Sequence, residues 1–237
     1  MFRRFPHIAV ASLAALTIGL SACSNTTPTA SPSANQQTTS QTSPAATNPE
    51  STADTAQKTA DPDLASKILT GEVAGVTLKE MSEIPDLDSI ARGADAQIEP
   101  AECFSTSITQ LVAGASGVTQ TGGASLLLSS DSAAPGKYKE YAQKCSSISG
   151  TAAGNPFKQS IEKQQAPAVE GVNDLVAVIV TSDSTFGGKP VKTKGYLLIG
   201  SINGNTIIAQ SLNLNDKEPP SEIITEIFKA QVEKLKG

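Results

Sequence analysis

Three short fragments have the residue types of a serine nucleophile served by a lysine. Ser160-Ile161-Glu162-Lys163 has the S-x-x-K spacing, Ser182-Asp183-Ser184 is close to S-D-N, and Lys192-Thr193-Lys194-Gly195 approximates K-T-G. Acyl-transferases built this way place the three parts on elements many tens of residues apart. Here all three fall within about 36 residues, and Lys194 interrupts the last. A Ser/Lys dyad also needs a turn of helix beneath the serine, whereas this segment alternates as a strand does. The fragments therefore read as polar faces of surface strands. A second candidate is the acidic series Asp86, Asp88, Asp95, Glu99 and Glu102. Set against a twelve-residue calcium loop beginning at Asp86, it lacks the central glycine, and Gln97 stands where the closing glutamate belongs. It reads as a solvated acidic loop. Paired carboxylates for glycoside cleavage need an aromatic-lined cleft, and only 4% of the chain is aromatic.

The three cysteines divide into one and two. Cys23 closes Leu20-Ser21-Ala22-Cys23, after Arg3 and Arg4 and the apolar run of residues 8–20. That run is short for a membrane span and has the layout of a secretory segment. The tetrapeptide resembles the bacterial lipobox, in which the cysteine thiol takes a diacylglycerol and becomes the first residue of the mature chain. Cleavage there would remove residues 1–22 and with them His7, the single histidine. The remaining chain would then lack Ser-His-Asp or Cys-His catalysis and any histidine metal ligand. Loss of Arg3 and Arg4 would take the formal charge from −5 to −7 and leave Arg92 as the one arginine. Such a chain is poorly suited to nucleic acid. Cys103 and Cys145 remain as an even pair in an exported domain, for which a disulfide is the expected state. Free thiols or a redox pair are the alternatives, although no C-x-x-C spacing occurs.

Residues 23–60 follow the anchor with Ser, Thr, Pro, Ala, Gln and Asn and almost no charge. This composition buries too little apolar surface to offset chain entropy. It predicts a disordered tether with a root-mean-square reach of roughly 35 Å. Residues 61–237 have globular patterning and suit one domain.

Within that domain the spacing predicts a short helix over 61–69 and a strand through Val76 and Leu78. A loop with a turn near Ile90 should follow, then a helix from Pro100 carrying Cys103, Ile108, Leu111 and Val112 to a stop at Gly114 and Gly117. Strands are expected at 118–120 and 124–128 around a Gly122-Gly123 turn, and a helix from Ser132 to Cys145. The second half reads as strands over 157–164, 174–181, 191–202 and 206–214, with Asn203-Gly204 as the strongest hairpin signal. A final amphipathic helix should begin near Ser221, with Ile224, Ile227, Phe228, Val232 and Leu235 on its apolar stripe. Strands too close together for crossover helices give an α+β fold, an antiparallel sheet with helices packed on one face and one disulfide. Lys189, Lys192 and Lys194 gather on one hairpin, where they protect an edge or dock an anionic wall polymer or headgroup.

Pro100-Ala101-Glu102-Cys103 opening one helix, Tyr141-Ala142-Gln143-Lys144-Cys145 closing another, Gly195-Tyr196 and the Asn-Gly hairpin follow the lipobox and tether in order. In this the chain resembles actinobacterial cell-surface lipoproteins, mycobacterial and corynebacterial, whose domain is like the PknH-type extracellular sensor domain. The resemblance spans roughly residues 80–237. It implies a binding domain without catalysis, and it carries over no ligand. The expectation is a non-catalytic, lipid-anchored protein on the outer face of the cell membrane. It would bind a small molecule, wall fragment or protein, with no cofactor, no metal and no nucleic acid. A carrier of lipid between helix and sheet is the first alternative, and a Ser/Lys or carboxylate hydrolase the second.

Overall fold

Asn203 and Gly204 turn the chain with φ of 51° and 83°. Two successive left-handed residues form the hairpin turn that matches the twist of its strands. The flanking runs are rich in β-branched residues and leucine, and they pair over nearly their full length. The computed structural model describes residues 63–84, 96–104, 108, 110–186, 188–214 and 216–237. Ten strands form one sheet: β1 (Gly71–Val73), β2 (Val76–Glu80), β3 (Gln97–Glu99), β4 (Leu111–Val118), β5 (Gly122–Ser129), β6 (Ser147–Ala152), β7 (Asn155–Gln164), β8 (Asn173–Phe186), β9 (Lys189–Ile202) and β10 (Asn205–Leu214). Their order is β1-β2-β4-β5-β10-β9-β8-β7-β6-β3, and every neighbouring pair is antiparallel. The described residues also form two α-helices, α1 (Ala134–Lys144) and α2 (Ser221–Lys236).

The helices lie on opposite faces, which corrects the expectation of one covered face. Leu126 and Leu128 pack in the core beneath α2 with Ile224, Ile227 and Phe228, while Leu127 between them packs with Tyr138 and Tyr141 of α1. The same alternation runs along β9, with Leu197 and Ile199 toward α1 and Tyr196 and Leu198 toward α2. A period of two can feed two cores at once when successive residues are all apolar. Such strands hide which face is covered. α1 packs over β7, β8 and β9, and α2 over β1, β5, β9 and β10.

The stretch expected as a helix from Pro100 divides instead. A 3₁₀ turn, Ala101–Cys103, ends at Phe104, and from Leu111 the chain is β4. The glycines read as helix stops serve close strand packing. A Cβ at Gly117 would lie 2.6 Å from Val76 Cγ1, and one at Gly114 2.8 Å from Met81 Sδ. Gly122 and Gly123 begin β5 instead of forming the turn. Strands β1, β3 and β6 were not expected, and the helix over 61–69 is one 3₁₀ turn, Leu64–Lys67. The turn near Ile90 lies outside the described residues.

The described chain begins at one pole of the sheet. Gln231 of α2 accepts the Leu69 N–H at 2.8 Å and donates to the Lys67 carbonyl at 2.9 Å, while Lys234 donates to the Ile68 carbonyl at 2.8 Å. Asn203, in the β9–β10 turn, donates to the Leu235 carbonyl at that same pole. The β8–β9 turn stands at the opposite one.

Candidate groove on the open sheet face

Strand β7 shows how the far end of the sheet is exposed. Phe157, Gln159 and Ile161 are buried on the α1 side, whereas the alternate residues Lys158 and Glu162 face solvent. α2 does not reach this part of its own face. Across it, register places Glu99, Ser149, Lys158, Asp183 and Lys192 in one row over β3, β6, β7, β8 and β9. Beside it run Gln97, Thr151 and Pro156, and Thr185 with Pro190, just past the last β7–β8 pair, Phe157 with Ser184. Together they line a groove of about 860 Å³ whose exposed members carry two carboxylates, two ammonium groups and two prolines.

The charges are unevenly engaged. Lys192 and Asp183 approach at 3.5 Å, both about half exposed, a pairing worth little in water. Glu99 and Lys158 make no ion pair with any described residue. Lys194, the next residue of β9 on this face, is bound by Glu218, and that hydrogen bond, with nearby carboxylates, raises the ammonium pKa.

The three fragments with acyl-transfer residue types are only partly brought together. Ser182 stands opposite Thr193 and Asp183 opposite Lys192, so the second and third fragments are neighbours. Ser160 and Lys163 lie three residues apart on β7, which points them to opposite faces. The dyad does not assemble. Asp86, Asp88 and Asp95 lie outside the described residues, as do Cys23 and the tether, and Glu102 sits on the 3₁₀ turn. Among the described residues no three His, Cys, Asp or Glu side chains gather as metal ligands, and no helix is long and apolar enough to cross a membrane. Lys189, Lys192 and Lys194 are on β9, an interior strand for most of its length. Its first four residues run past the last β10 pair, Leu214 with Thr193. There Lys189, Pro190 and Lys192 do blunt a short free edge.

Cys103 and Cys145 form a disulfide with S–S 2.00 Å and Cα–Cα 5.7 Å. It ties the turn after β3, a groove strand, to the end of α1. Beside it the Tyr141 hydroxyl donates to the Cys103 carbonyl at 3.3 Å, and burial pushes its pKa up to about 12. Burial raises Tyr138 still further, with a contribution from Tyr141, and its hydroxyl has no hydrogen-bond partner among the described residues.

Glu99 and Lys158 are the functional candidates that sequence reasoning missed as a pair. The alternation of β7 pointed Lys158 outward. Nothing in the sequence paired β3 with β6 and β6 with β7, the step that brings Glu99 into the row.

No family model matches the chain, and no curated protein does. Among solved structures it is similar to an uncharacterised protein of Mycobacterium smegmatis, the Rv0999 ortholog. The TM-score is 0.38 with 15% identity over 77% of this chain and 100% of that one.

Proposed function

We propose that this is a lipid-anchored binding protein of the outer cell surface, with the groove across β3, β6, β7, β8 and β9 as its ligand site. The observation that carries the reading is an open sheet face with unspent charge. A groove of about 860 Å³ is the size of a small-ligand site, and Glu99 and Lys158 lie in it without ion-pair partners among the described residues. The lipobox at Cys23, the Ser/Thr/Pro tether and the resemblance to PknH-type sensor domains support the address and the absence of catalysis. The lipid-carrier alternative needs an apolar chamber between helix and sheet. On both faces that space is filled by packed side chains, among them Tyr138 and Val178 under α1 and Phe228 and Leu198 under α2.

Two measurements test the two halves. Metabolic labelling with a clickable palmitate should mark the full chain and fail to mark Cys23→Ala, and equal labelling of both would end the anchored reading. Native mass spectrometry of the full chain should show a co-purifying ligand that Thr185→Trp, which fills the groove, displaces. A ligand retained by that variant would place binding elsewhere.

A further inference from the structure

We propose that the groove selects short extended peptides with both ends free, the ammonium end at Glu99 and the carboxylate end at Lys158; this rests on the groove being the ligand site. Glu99 on β3 and Lys158 on β7 are separated by one strand, β6, in a single cross-strand row. Two inter-strand spacings put them about 10 Å apart. An extended tripeptide spans about 10 Å as well, at roughly 3.3 Å per residue. Its two charges therefore match the two unengaged charges in position and sign.

The remaining lining argues for the same occupant. The four charged side chains of the row, Glu99, Lys158, Asp183 and Lys192, alternate and sum to zero. A polyanion or polycation would meet repulsion at every second site. Neither row holds an aromatic residue, and Phe157 turns its ring into the α1 side of the sheet at 8% exposure, so the groove offers no stacking surface for a sugar or a base. What lies beside the charges is Thr151, Thr185, Pro156 and Pro190. These are small walls with hydroxyls, suited to a backbone with short side chains. The Lys192–Asp183 pair, loosely held at 3.5 Å, can open to receive a side-chain charge from a longer peptide.

The test is calorimetric titration of the full chain with trialanine, N-acetyl-trialanine and trialanine amide. Trialanine should bind, and capping either end should weaken binding about tenfold, the loss of one charge-assisted contact. Lys158→Met should bind acid and amide equally, and Glu99→Gln should bind free and acetylated peptides equally. Both substitutions are at exposed positions, and the readout is discrimination between peptides rather than activity. Equal binding of all three peptides, no binding of any, or discrimination that survives in both variants overturns the inference. If the peptides fail while a co-purified ligand is still displaced by Thr185→Trp, the peptide assignment falls and the groove remains the binding site. If Thr185→Trp displaces nothing, the groove reading fails with it.

Discussion

Tyr138 and Tyr141 show how differently two buried hydroxyls one turn apart can count. Their rings lie 5.9 Å apart in the core beneath α1, but Tyr141 has a carbonyl to donate to and Tyr138 has no described partner. Tyr141→Phe should cost about 1 kcal/mol in urea denaturation at pH 7, whereas Tyr138→Phe should be neutral or stabilising. Equal losses would show that Tyr138 is bonded. Both pKa values lie above the unfolded 10.0, so the folded chain holds these protons longer than the unfolded one. Their contribution is intact below pH 10 and falls as pH rises toward 12 and beyond. Either phenylalanine should therefore flatten the alkaline loss, seen by comparing urea midpoints at pH 9 and 11. Gln231 is a third such residue, fully buried and bonded to both Leu69 and Lys67. Gln231→Leu would strand a half-buried N–H and C=O. It should cost about 2 kcal/mol and speed exchange of the Leu69 amide, and an unchanged amide would refute the hook.

Among the elements, those with a strong local signal were legible and those made by tertiary pairing were not. The Asn203-Gly204 hairpin, strands β7 to β10 and helix α2 follow from turn chemistry and periodicity alone. β4 did not, because Leu111, Val112, Ala113 and Ala115 suit a helix as well as a strand, and only close approach to Val76 and Met81 explains Gly117 and Gly114. β3 and β1 are three residues each, too short to carry a period. The groove was illegible for the same reason, since its row exists only once β3 and β6 are paired. The disulfide was legible from cysteine number and the expectation of export, and it fastens this unreadable part. Closing a loop of sequence separation 42 stabilises by roughly 4 kcal/mol in the chain-entropy model. Replacing both cysteines by serine should lower the unfolding free energy by about that amount. A loss below about 1 kcal/mol would mean that the turn after β3 is held by packing alone.

The whole molecule has a direction. Residues 67–69 are fastened to the last turns of α2, beside the β9–β10 turn, while the groove lies toward the β8–β9 turn. β9 runs between those poles with 14 residues, roughly 45 Å when extended. Removing residues 30–55 should leave trialanine affinity within about twofold, since the first described residues lie at the pole away from the groove. A larger change would show the removed segment reaching the groove. Were Cys23 acylated as proposed, a domain held from residues 67–69 would be held at the pole away from the groove. The protein would sample what diffuses in from the surroundings, and a membrane-embedded neighbour would have to reach past its whole length to be bound.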